Sequence, residues 1–126
     1  MWQFGARSEK RLEGVHPDLV KVVRRALSMS KYDLTVGEGL RTLAQQQEYY
    51  RTGKSQTMKS RHLDGHAVDL WVLVDGSVSW DWKYYDELAK VMKFAAQELG
   101  IPLEWGGDWK TLKDGPHFQL PWKEYP

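Results

Sequence analysis

Apolar positions recur along this chain at two spacings, and together they divide it into helices and strands. In PDLVKVVRRALSMS, Leu19, Val23, Ala26 and Leu27 fall at the period of a helix face, and Pro17 suits a first turn. A second helix is predicted after Thr42, where Thr42 and Gln45 have the spacing of a capping box, with LAQQQEYYRT as its stem and Gly53 as its stop. The third pattern is the broadest: Tyr84/Tyr85, Leu88, Val91/Met92, Ala95/Ala96 and Leu99 form one apolar face. Gly100 and Pro102 end it, since glycine takes a left-handed cap and proline cannot continue a helix.

Between the second and third helices, the Val-rich run AVDLWVLV turns at Asp75-Gly76 and reads as a strand, central because both its faces are apolar. HFQL gives a shorter strand signal near the C-terminus, and LEWGG another. Helices grouped ahead of and between strands, without regular alternation, predict an α+β fold: a small antiparallel sheet packed with about three helices. Neither repeats nor a linker interrupt the chain, so residues 1–126 are expected to form one domain, long enough for a hydrophobic core and too short for two.

Composition narrows the chemistry. A formal charge of +1 with no long Lys/Arg stripe argues against nucleic acid as the main partner. Cysteine is absent, so there is no disulfide, and a metal site would have to use His and carboxylates. The N-terminus lacks the apolar core of a signal peptide, and no stretch could span a bilayer. There are seven tryptophans; burial in the core explains some of them, and lining a substrate groove would explain others.

The informative block runs from Ser60 to Asp69. Asp69 lies inside the apolar strand, and a lone carboxylate buried there costs several kcal/mol or takes up a proton, so its charge needs a cation. A metal ion would supply one. His62, just before the strand, and His117, at the start of HFQL, offer two imidazoles to the same ion. On HFQL, His117 and Gln119 share one face while Phe118 and Leu120 take the other. Two imidazoles and one carboxylate leave a position open for water, the layout of a catalytic zinc site. Asp114, in Asp-Gly-Pro-His, can fold back as a general base. Arg41, ahead of the capping box, can steady an oxyanion.

Each residue has a plainer reading. A lone histidine is more often structural than a ligand, Asp114-Gly115 alone is a turn, and Arg41 alone is a salt-bridge partner. One ion, however, accounts for three residues and a buried charge together. His62 and His66 have the His-x-x-x-His spacing of the helical zincin motif but not the motif itself, because Leu63 stands where Glu is required and Gly65 breaks the helix. His66 is expected to line the cleft or support the ligands, with an exposed loop histidine as the alternative. Trp105 and Trp109 are core rings or cleft walls. His16 is a helix-start residue, and Gln47 belongs to a solvated face.

The pattern S-x-H-x-x-G-x-A-x-D, followed by D-x-x-H, resembles the zinc peptidases of the D-Ala-D-Ala carboxypeptidase and L-alanyl-D-glutamate endopeptidase family (M15). GVHPDLV, EGLRT and WGGDWKTLKDGPHFQ extend the likeness over nearly the whole chain, which is most similar to phage endolysins of the endopeptidase branch. The resemblance implies the Hedgehog/D,D-peptidase zinc fold, with Zn2+ held by His62, Asp69 and His117. It also implies Asp114 as the base, Arg41 on the substrate, and Ser60 orienting its loop. Asp rather than Glu at position 114 favours the endopeptidase branch.

The expected substrate is the stem peptide of peptidoglycan, cut between L-alanine and D-glutamate. The alternatives are a D,D- or L,D-carboxypeptidase that trims D-alanine and a non-catalytic zinc-stabilised binding module. An endolysin of this kind is expected to act as a monomer. It would wait in the host cytoplasm until a holin opens the way to the wall and periplasm.

Overall fold

Burial alternates through the middle of AVDLWVLV: Val68, Leu70 and Val72 are at most 1% exposed, while Asp69, Trp71 and Leu73 are partly exposed. This alternation makes the strand a divider, with one face on the core and the other toward a cleft. In the computed structural model, which describes residues 2–55 and 57–126, the chain runs as follows. It forms α1 (Ala6–Arg11), α2 (Pro17–Met29), β1 (Asp33–Glu38), α3 (Leu43–Arg51), β2 (Ala67–Val74), β3 (Ser77–Ser79), α4 (Trp82–Leu99), β4 (Glu104–Trp105) and β5 (His117–Gln119). Short 3-10 turns lie at Arg61–Asp64 and Gly106–Asp108.

All pairings are antiparallel, in the order β1-β2-β5-β4, with β3 also bonded to β2. The small antiparallel sheet of an α+β fold is therefore present, and AVDLWVLV is an inner strand of it. Its second face is not sealed by apolar neighbours, however, so its inner position comes from pairing on both edges. HFQL and LEWGG supply β5 and the two-residue β4.

The helices follow the predicted periods. Pro17 opens α2, and the side chain of His16 caps it by accepting from the Asp18 N–H at 3.1 Å. Both arms of the Thr42/Gln45 capping box form. Gly100 closes α4 in the left-handed region at φ 70°. The apolar faces of α2 and α4 pack on each other and join the sheet in one core. There the Tyr85 hydroxyl accepts from the Val72 N–H and donates to the Ser79 carbonyl, tying α4 to β2 and β3.

About three helices were expected and four α-helices are found among the described residues. The extra one, α1, buries only Ser8, whose hydroxyl bonds to Thr35 Oγ1 and accepts from the Val36 N–H. Arg11 adds a bond to the Val36 carbonyl and Glu9 pairs with Arg24, and a helix fastened by such polar contacts leaves no apolar period to detect. No helix among the described residues is long and apolar enough to cross a membrane.

The C-terminal segment is clasped by Arg61, which is 2% exposed. Its guanidinium donates to the carbonyls of Leu120 and Tyr125 and to Asp64, and stacks 3.9 Å from the ring centroid of Trp122. Phe118 is fully buried on the core face of β5, next in the chain to His117. Phe118→Ala should lower unfolding free energy by about 3–5 kcal/mol through lost burial and the cavity left behind, read as a fall in the urea midpoint.

Candidate metal centre and cleft

The strand register assembles two thirds of the centre. Asp69 on β2 pairs directly with His117 on β5, so both side chains leave the same face of the sheet. His62 arrives from the 3-10 turn that precedes β2. Ser60 caps that turn, its hydroxyl accepting from the His62 N–H at 3.2 Å. Asp69 Oδ1 lies 3.3 Å from both His62 Nε2 and His117 Nδ1. One ligating atom from each of the three lies within 4.8 Å of the others.

The opposite nitrogens of the two rings are held by acceptors. His62 Nδ1 is 2.8 Å from the Gly39 carbonyl, and His117 Nε2 is 2.7 Å from the side-chain oxygen of Gln119. A carbonyl oxygen cannot donate, so each of these nitrogens carries its hydrogen. His62 therefore faces the centre through Nε2 and His117 through Nδ1. His62 Nε2 is buried without a hydrogen-bond partner among the described residues. A buried lone pair aimed at a carboxylate is poorly placed unless a cation lies between them. The donor set, two imidazole nitrogens and one carboxylate oxygen, fits a divalent metal ion.

Electrostatics among the protein groups alone point the same way. Burial pushes the Asp69 carboxyl up, but the adjoining imidazoles of His117 and His62 outweigh it and hold the group well below the usual carboxylate range. Burial works against a charged His117, and is outweighed by Asp69 and by the bond to Gln119, so its pKa rises. The site concentrates negative potential where the two rings meet. A metal ion satisfies that potential and displaces the proton the pair would otherwise share.

Asp114, three residues before His117, borders the same cleft of about 600 Å³. Burial raises its carboxyl pKa, and the charge of Asp69 raises it further, against the pull of His117, His62 and Arg41. Such a group holds a proton more readily than a surface carboxylate, which suits acid–base exchange. Its loop is pinned from below: the Asp114 N–H donates to the Gly106 carbonyl at 3.0 Å. A Cβ at Gly106 would stand 2.4 Å from the Asp114 carbonyl oxygen, so the close approach requires glycine.

Arg41 is also at the cleft, 8% exposed. It forms a two-pronged pair with Glu38 at 2.7 and 2.8 Å, donates to Gln46 and to Ser60 Oγ, and lies 4.7 Å from the Tyr49 ring centroid. Four of its five N–H groups thus serve described residues, leaving one at Nη2. Ser60 connects Arg41 to the turn that carries His62.

Two residues stand elsewhere. His66 is not on the cleft. It packs edge-on to His16 at 5.3 Å and to Tyr125 at 6.2 Å, and burial lowers its pKa. Trp105 is a core ring stacked on Phe118, and its Nε1–H donates to the Gly115 carbonyl at 2.7 Å, bracing the Asp114 loop from inside. Trp109 and Trp122 are the tryptophans on the cleft wall.

Reading by motif overlooked Gln46, fully buried on an otherwise polar helix, whose amide also donates to Ser55 and Thr57. It overlooked Glu38 and Glu104 as well, and left Gln119 on the face of His117 without a task. The available signal was the two-residue spacing that aligns Gln119 with His117.

Comparison with known proteins agrees with this geometry. A family model described as phage L-alanyl-D-glutamate peptidase matches residues 1–120. The L-alanyl-D-glutamate peptidase of Escherichia phage T5 is 39% identical over 117 residues, covering 90% of this chain and 85% of that protein. The peptidoglycan L-alanyl-D-glutamate endopeptidase CwlK of Bacillus subtilis (strain 168) is 31% identical over 114 residues, 78% of this chain and 66% of that protein. Among solved structures, the L-Ala D-Glu endopeptidase ChiX of Serratia marcescens matches with a TM-score of 0.93 and 56% identity, over 100% of this chain and 94% of that one. With the family pattern spanning nearly its full length, the chain belongs to the phage L-alanyl-D-glutamate peptidase family.

Proposed function

We propose that this protein is a zinc-dependent peptidoglycan hydrolase that cuts the stem peptide between L-alanine and D-glutamate. The observation that carries the reading is the convergence of His62 Nε2, Asp69 Oδ1 and His117 Nδ1 at a cleft that Asp114 also borders. In this reading His62, Asp69 and His117 hold Zn2+. Once bound, zinc supplies Lewis acidity that polarises the scissile carbonyl and lowers the pKa of water.

The remaining steps belong to the chain. Asp114 takes a proton from the attacking water and returns it to the leaving amine of D-glutamate, a dual role suited to its raised pKa. Arg41, fixed by Glu38, Gln46 and Ser60, keeps one N–H for the developing oxyanion and holds positive charge at the cleft. Trp109 and Trp122 form walls against which the peptide lies. The relatives come from phages and from bacteria. For this chain the proposed setting is lysis by a monomeric enzyme, released to the wall through a holin.

Mass spectrometry of fragments from purified peptidoglycan tests the bond. Peptides with a new D-glutamate N-terminus are expected, whereas release of D-alanine alone would replace this reading with a carboxypeptidase. Folded, zinc-loaded protein that releases nothing would point to a binding module. Asp114→Asn should retain zinc and fold yet lower kcat by about 10²–10⁴-fold, the usual range for a lost general base; normal turnover would sink the mechanism. Removing zinc with a chelator should abolish cleavage while the far-ultraviolet circular dichroism stays near native, because one core holds the elements together independently of the centre. Collapse of the spectrum instead would mark the ion as structural.

A further inference from the structure

The two imidazoles of the centre differ in what holds their outer nitrogens. For His62 it is the main-chain carbonyl of Gly39, which has only one character. For His117 it is the side-chain amide of Gln119, which could present either an oxygen or an NH2 group, with opposite consequences. Oxygen toward His117 keeps the hydrogen on Nε2 and leaves Nδ1 for the metal. An NH2 group there would require a lone pair on Nε2 and drive the hydrogen onto Nδ1, where it blocks coordination. Something must decide which way the amide points.

The strand register supplies the arbiter. Glu104 on β4 pairs directly with Gln119 on β5, so both side chains project from the same face. Glu104 Oε2 accepts from Gln119 Nε2 at 3.3 Å and from the Trp109 indole N–H at 2.9 Å. A carboxylate offers only acceptors, so a reversed amide would set oxygen against oxygen. Gln119 is 6% exposed, so water cannot readily compensate for a wrong orientation.

We infer that Glu104, acting through the amide of Gln119, fixes which nitrogen of His117 binds the metal. Both line the cleft, but their part here is positioning, Glu104 acting through Gln119 and Gln119 through His117. Trp109 steadies the carboxylate while its ring lies 5.0 Å from that of His117, so one wall of the cleft and one metal ligand share a single support. The inference rests on the metal-centre reading of His62, Asp69 and His117, and adds the outer device that orients one of them.

The test is the zinc dissociation constant of the full chain, measured by competition with a chromophoric chelator. It is read together with the solvent-exchange rate of the His117 ring N–H in the 15N-labelled zinc-loaded protein. Gln119→Leu removes the acceptor and should weaken zinc binding by about 10–100-fold, the usual cost of losing the outer partner of a ligand, with the ring proton exchanging fast. The swap Glu104→Gln with Gln119→Glu reverses carboxylate and amide but still offers His117 an acceptor. It should recover most of the affinity and the slow exchange, whereas a role in packing alone predicts little loss in Gln119→Leu, which keeps the bulk and removes only the acceptor.

Should Gln119→Leu fail to fold, Glu104→Leu carries the same test. It leaves Gln119 in place but frees its amide to turn, and zinc binding should again weaken. Native-like affinity in either single variant, or a swap no tighter than Gln119→Leu, overturns the inference. A native chain that binds no zinc would instead sink the metal centre itself, so the two failures are distinguishable.

Discussion

Asp69 carries a carboxylate on an inner strand, with a fifth of its side chain exposed and core residues on either side along the chain. Its ionised form is tolerable only where compensating partners converge, and the neighbouring structure is arranged around that demand. β5 brings His117 into register opposite it, the 3-10 turn delivers His62 from the other side, and the Asp114 loop closes over the same space. If Asp69 were apolar, β2 would be an ordinary sheet strand, and the two imidazoles would have nothing to gather around. The charge is compensated locally, but its support extends outward through Gly39, Gln119 and Glu104.

Rigidity in the cleft comes from interlocking polar contacts backed by core rings. Arg41 is buried because Glu38, Gln46 and Ser60 all meet its guanidinium, and Ser60 in turn caps the turn that holds His62. Beneath the Asp114 loop, Trp105 bridges the apolar and polar layers: its ring stacks on Phe118 while its N–H holds Gly115. Arg41 and the turn that carries His62 are thus held by several partners at once, which limits the reorganisation required during a reaction.

Much of this was legible in the amino-acid sequence because the responsible forces act locally. Apolar periodicity marks α2, α4 and β2; the Thr42/Gln45 spacing marks α3; Asp69 stands out as a charge among valines and leucines. What stayed hidden depends on partners distant in the chain. α1 and β1 meet through Ser8, Thr35 and Val36, and a hydroxyl contact leaves no periodic trace. Proximity to the motif suggested His66 at the cleft, yet it turns toward His16 and Tyr125. Trp105 and Trp109 differ by only four positions, but one is core and the other cleft wall, because β4 ends between them. Glu104 has meaning only once the β4–β5 register is known.

The order of these parts along the chain has a consequence for synthesis and for damage. His62 and Asp69 precede α4, whereas His117, Gln119 and the strand that covers the edge of β2 follow it. A polypeptide interrupted anywhere before His117 therefore lacks an imidazole, its outer partner and a sheet neighbour all at once. Such a fragment would keep His62 beside Asp69 but lose the second imidazole and the strand on one edge of β2, rather than hold a weakened version of the same centre. The last strand therefore completes the centre, and a chain truncated ahead of it lacks that centre.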